Sequence, residues 1–397
     1  MNKHASSNRF YRLVWNEGLD SWVPVAEISR GRKKRNGRAS TTLAPLLASL
    51  GLGFATHVLA AGIPTSVAPT RVPPAPTTLP TGGNVVAGIG TISSSSTANS
   101  AVLNVDQTSQ RAVINWNTFN LGSAAQVNFN QPGADAATLN RVLDSNPSQI
   151  FGRINAPGQV FLTNPDGVYF GKSAVVDVGS LTATTGSIGD ADFMAGKLKF
   201  DRNGATGSVV NEGELHAGLG GYIALLAPEV RNSGVIVARM GTVALAAGES
   251  VTLNLDGNHL AGITATASAI AALVENRSAV IAPGGLIILS AKAVDSLQGG
   301  VVNNSGTLEA TGLASKGGRI VLEASTSIEN SGTINANAGT DGSPAGHIEI
   351  TAPVVTNSGT ISAATGATAA AAVWAEEGAP VALIAPLLVT AGAVISM

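Results

Sequence analysis

The sequence predicts an all-β chain wound as a right-handed parallel β-helix, a solenoid whose N-terminal end is capped by additional β elements. Three observations predict it. First, residues 138–185 alternate short apolar runs with Asn/Pro/Gly punctuation. Gln149–Ile154, Gln159–Thr163 and Val168–Phe170 read as strands; Ser145–Ser148, Asn155–Gly158 and Asn164–Gly167 read as corners. No helical period runs through them. Second, one corner recurs beyond residue 205. Asn211, Asn232, Asn304, Asn330 and Asn357 each stand two residues before a glycine. With a degenerate copy at Asn276-Arg277-Ser278, the intervals are 21, 44, 28, 26 and 27 residues, and 44 reads as about two periods. A second corner is interleaved, at Gly221, Gly241, Gly285, Gly318 and Gly346, each followed by an apolar run. Third, glycine is abundant at 47 residues, and only 12% of residues are charged, against about a quarter in ordinary domains. Hydrophobic content of 44% is enough to bury a core.

One such coil cannot bury its inward Val/Ile/Leu row alone, whereas stacked coils bury it continuously. Asparagines repeated at one corner can hydrogen-bond from coil to coil as an amide ladder. Parallel crossovers are right-handed. At about 22 residues per coil, residues 82–397 would give about 14 coils, a stack on the order of 65 Å at the strand spacing.

In chain order, residues 1–61 read as a targeting segment that is removed. A basic run, Arg30–Arg35, precedes an apolar stretch from Leu43 to about Ala55, and small residues place signal-peptidase cleavage between Ala60 and Ala61. An N-terminal anchor is the alternative, although Pro45 and two glycines break the apolar run. Residues 62–81, with six prolines, form an extended linker. Residues 82–260 are one module of short strands, and 261–363 continue the repeats. Residues 364–397 are an Ala-rich, apolar tail, which leaves open a last coil, an early stop or a membrane span. Basic residues concentrate in the first 40 positions; the rest of the chain has 14 Lys/Arg and 22 Asp/Glu. An acidic body argues against nucleic acid as a partner. Cysteine is absent, so no disulfide forms in an oxidising compartment.

Two resemblances add to this reading. Met1-Asn2-Lys3, Tyr11–Asn16 and Trp22–Glu27 resemble the extended signal-peptide region of large bacterial surface proteins, which implies a Gram-negative source and the Sec machinery. Asn115–Ser123, Gln126–Pro132, Leu139–Val142, Ser148–Gly152, Ala174–Leu181 and Asp192–Gly196 resemble, in order, the filamentous-haemagglutinin-type two-partner secretion domain. That resemblance implies a cognate outer-membrane transporter, with periplasmic domains and a barrel, as partner. It implies a secreted product, released or retained at the outer-membrane surface, with an adhesin or haemagglutinin role toward host-cell or bacterial surface receptors. The family signature Asn-Pro-Asn-Gly stands here as Asn164-Pro165-Asp166-Gly167, a turn implied to shape recognition by the transporter. Asn115, Asn117 and Asn120 correspond to a second Asn-rich motif.

Catalytic and cofactor chemistry is not expected. Gly171-Lys172-Ser173 lacks the spacing and following helix of a phosphate loop. His216, His259 and His347 show no metal-ligand spacing. Asp190-Ala191-Asp192 reads as a solvated loop. The alternatives are an exported polysaccharide lyase or hydrolase of the same fold, or a truncated relic of a longer adhesin.

Overall fold

The structure is a computed structural model and describes residues 11–16, 21–26, 72–294, 299–365, 372–374, 389–390 and 393–396. The expected cleavage pair Ala60-Ala61 lies outside the described residues. The chain divides into units 1–67 and 68–397. In the first, Tyr11–Asn16 and Ser21–Ala26 pair antiparallel, with Trp15 opposite Trp22.

The second unit is a stack of parallel coils with three faces. The first face is an eight-stranded sheet running from Ser148–Ile150 to Val354–Asn357. The second face is built of short strands: Glu214–Ala217, Val235–Val237, Ala279–Ile281, Thr307–Glu309, Thr333–Asn335 and Thr360–Ser362. The third face carries Tyr222–Leu226, Thr242–Ala247, Leu286–Ala291, Arg319–Ala324 and His347–Thr351. Nearer the N-terminal end, Arg153–Thr163 and Val175–Thr184 serve the second and third faces in one continuous strand. The bend in Arg153–Thr163 is a register shift between Ala156 and Gln159.

These segments are strands because their side chains alternate in and out. Ile154, Val176, Leu215, Ile236, Val280, Leu308, Ile334 and Ile361 occupy successive coils in register and are all buried. Burying each aliphatic side chain is worth about 1.5–3 kcal/mol, and only the neighbouring coils supply the burial. One apolar core continues from Ala101 to Ala363 and passes residue 260 without a break.

Antiparallel elements close the N-terminal end. Asn84–Ala87 pairs with Arg111–Trp116, and Gly90–Ser96 with Ala101–Gln107. The carbonyls of Pro76 and Thr78 accept from Ala124 N and Gly122 N at 2.8 and 2.9 Å, where an earlier coil would otherwise bond.

Two expectations are corrected. The 44-residue interval is one coil, not two: Glu229–Asn232 pairs directly with Leu273–Asn276. Its extra length is an antiparallel hairpin, Ser250–Asp256 with His259–Ala265, standing outside the stack. The stack is therefore shorter than 14 coils, with eight strands on the first face among the described residues. Residues spent on the capping strands, on the short helix Asp190–Met194 and on the hairpin do not extend it. In the tail, Ala393–Ser396 runs parallel to His347–Thr351. Among the described residues no helix is long and apolar enough to cross a membrane.

Candidate functional site

The Asn164–Gly167 turn joins the long strand Arg153–Thr163 to the first-face strand Val168–Phe170. Asn164 is fully buried and all its polar groups are used. Its N–H donates to Thr184 O at 3.0 Å. Its Nδ2 donates to Asn146 O and to Ser148 Oγ, both at 3.0 Å. Its Oδ1 accepts Asp166 N–H at 3.0 Å, and its carbonyl accepts Gly167 N–H at 3.0 Å. The side chain thus imitates one more backbone turn. Gly167 has φ +121°, and a Cβ there would stand 2.8 Å from Ser208 O. Pro165 and Asp166 are exposed, so they are the part of the motif a partner can touch. Asn164→Ala is expected to cost about 1–3 kcal/mol by orphaning buried groups. Asp166→Asn should leave the urea midpoint within about 0.5 kcal/mol of the parent.

Asn120 belongs to the same neighbourhood. Its Oδ1 accepts Gln149 N–H at 2.8 Å, beside the Ser148 that Asn164 holds. The two asparagines therefore pin the first strand of the first face. Asn115 lies elsewhere: its Oδ1 accepts from Arg141 Nη1 at 3.2 Å. Arg141 Nη2 donates to Asp190 Oδ1 at 2.6 Å and to Ile188 O at 2.9 Å. Asn117 is exposed, with its N–H on Thr81 O at 2.9 Å. Asp190 and Asp192, expected in a solvated loop, sit instead on the short helix, and Asp190 is salt-bridged to Arg141.

The corner asparagines form a continuous buried ladder. Nδ2 donates to Oδ1 of the next coil from Asn211 to Asn232, Asn232 to Asn276 and Asn276 to Asn304, each at 2.8 Å. Asn304 continues to Asn330 at 2.7 Å, and Asn330 to Asn357 at 2.6 Å. Asn276, read from the sequence as a degenerate copy because Ser278 replaces the glycine two residues on, is a full rung. The signal was upstream: Val274-Glu275-Asn276 repeats Val230-Arg231-Asn232 and Val302-Asn303-Asn304.

The histidines are scattered. His216 Nε2 lies 3.5 Å from Glu214 Oε2, and His259 Nδ1 lies 2.6 Å from Gly220 O. No group of three or more His, Cys, Asp or Glu suited to one metal ion occurs among the described residues. The Arg202 guanidinium, 2.9 Å from Glu249 Oε2, holds that carboxyl below its ordinary value of 4.5. A depressed carboxylate stabilises the fold above its ordinary range and loses that contribution as pH falls through the folded value. Acidification from pH 6 to about 3 is therefore expected to raise amide exchange in Ser250–Ala265 before the coil strands.

The family described as TPS secretion domain matches residues 77–336, and the one described as Extended Signal Peptide of Type V secretion system matches residues 8–56. The Heme/hemopexin-binding protein of Haemophilus influenzae strain Rd is 31% identical over 255 residues, 62% of this chain and 27% of that protein. A second Haemophilus influenzae protein of that name is 30% identical over 243 residues, 56% of this chain and 26% of its own. The chain thus spans about a quarter of the length of the curated relatives it matches. The crystal structure of the HMW1 secretion domain from Haemophilus influenzae superposes with a TM-score of 0.59 at 22% identity. That superposition covers 80% of this chain and 100% of the other, a likeness of fold.

Proposed function

Since this chain belongs to the TPS secretion domain family, we propose that it is handed, unfolded, to a cognate outer-membrane transporter and winds into its coils outside the cell. The observation that supports this reading most strongly is the coincidence of the family match at 77–336 with one uninterrupted coil stack. Each coil completes its burial only when the next arrives, so winding can follow emergence one coil at a time. Apolar burial at about 25 cal/mol per Å² then opposes return through the pore. Absence of cysteine suits such passage, because no disulfide can close a loop before threading.

In this reading the Sec machinery and signal peptidase deliver the chain to the periplasm. The transporter's periplasmic domains capture β-prone segments by strand addition, with Pro165 and Asp166 as the exposed tip of the recognition turn. The product works at the cell surface in adhesion to host or bacterial receptors. The heme and hemopexin of the relatives' names are not carried over, since the match covers 27% of that protein. The test is secretion from cells with and without the cognate transporter. Product in the medium only when the transporter is present supports the reading; equal export in both overturns it.

A further inference from the structure

A second apolar core lies on the outer surface of the third face, separate from the one inside the coils. The coils contribute Phe161, Tyr222, Ala224, Leu226, Ala244 and Ala246; the covering elements contribute Phe193, Phe200, Val251, Leu253 and Leu260. The covering sheet is assembled from distant pieces. Ser250–Thr252 pairs antiparallel with Lys199–Asp201, and the chain winds two coils between them. Besides its sheet pairing with Lys199–Asp201 and the Leu253 N–H on Leu198 O at 2.9 Å, the hairpin is held at its rim. Thr242 Oγ1 donates to Leu260 O at 2.6 Å, His259 Nδ1 meets Gly220 O at 2.6 Å, and Arg202 grips Glu249. Asn258 also reaches Asp135.

The partners Thr242, Gly220, Arg202 and Asp135 precede the hairpin in sequence, while Ala269 N–H, at 3.3 Å from Glu249 Oε2, and Ile288, which joins the outer core from the next coil, follow it. The next coil stacks directly on the previous one, Leu273–Asn276 on Glu229–Asn232 and Leu286–Ala291 on Thr242–Ala247, without passing through the hairpin. The coils can therefore wind without it, and it can open without unwinding them.

We propose that Ser250–Ala265 is a latch that closes last, over coils already wound, so the cover that Phe193 and Phe200 begin is completed only after residue 265 has emerged. The device rests on the export reading above. It postpones completion of the module's outer surface while the first two hundred or so residues are already through.

Ala246 and Ala247 allow a direct test. They are fully buried neighbours on one strand, but Ala246 faces the outer core and Ala247 the inner one. The chain has no cysteine, so Ala246→Cys and Ala247→Cys in the full-length protein each carry a single thiol. Under native conditions the thiol at 246 should react with a maleimide about tenfold faster than that at 247, because latch opening is a sub-global event. During refolding from urea, the thiol at 247 should become protected first. Adding Glu249→Gln should raise the rate at 246 and leave that at 247 unchanged. Equal rates at both positions, or protection of 246 before 247, would overturn the latch. Should Ala246→Cys not fold, Ala244→Cys reports on the same outer core. The measurement uses purified protein, so the latch can fail while transporter dependence stands, and the reverse.

Discussion

Replacing Gly241 by valine is expected to prevent the coils on either side of it from docking. Gly241 stands at the corner between the second and third faces, in a column with Gly221 and Gly285. A Cβ on Gly241 would fall 1.8 Å from Gly221 O, and one on Gly285 would fall 2.1 Å from Gly241 O. The obstacle is backbone, so no rotamer change relieves it. The same carbonyl accepts Thr242 N–H at 3.1 Å, so moving it away breaks the coil-to-coil bond. Over-packing of this kind costs at least about 3 kcal/mol, out of the roughly 5–15 kcal/mol that holds a domain. Urea unfolding and the yield of protease-resistant product in the medium would both show it. A midpoint shifted by less than about 0.5 kcal/mol would contradict the close approach.

Asn276→Ala is expected to have the next largest effect, for a different reason. The substitution removes an interior rung of a buried amide ladder. Asn304 Nδ2 keeps Asn330, but Asn304 Oδ1 loses its donor, and Asn232 Nδ2 loses its 2.8 Å bond to Asn276 and is left with Ala279 O at 3.5 Å. Each buried polar group left without a partner costs about 1–3 kcal/mol, so the total should reach about 3 kcal/mol. Asn303→Ala, one position before a rung, is the contrast. Asn303 Oδ1 is buried with no partner, so its removal should be neutral or slightly stabilising. Equal losses for the two variants, measured by urea unfolding, would mean that the ladder has no special place in the stability of the stack.

Much of this architecture is legible in the residues. Alternation at positions such as Val230/Asn232 and Ile328/Asn330 fixes which side chains point inward. The Asn-Ser-Gly corners fix where the strand bends. Asn164-Pro165-Asp166-Gly167 declares a turn without any neighbour's help, because an Asx side chain and a glycine suffice for it. What stays hidden depends on contacts the local pattern does not encode. The alternation Ser250–Asp256 looks like one more coil strand, and only its antiparallel partners Lys199–Asp201 and His259–Ala265 show that it leaves the stack. That departure is what made a 44-residue interval resemble two periods. Asn276 reads only as a degenerate corner because Ser278 replaces the glycine, although it bonds as a full rung. The role of Asn120, accepting the Gln149 N–H at the edge of the first face, is set by three-dimensional neighbours and has no signature in spacing alone.

Consecutive coils stack without interruption across the hairpin, with Val235 beside Ala279 on the second face. These would be the chain's only two thiols in a Val235→Cys/Ala279→Cys variant, and neither position belongs to the ladder or the inner core. Adjacent strands stand about 4.8 Å apart, within the range that a disulfide spans. Mild oxidation should therefore close the 235–279 loop, seen as a faster band on a non-reducing gel that reverts with reductant. A coil lying between the two strands would hold them about 10 Å apart, and failure to crosslink in the folded protein would contradict direct stacking of these coils.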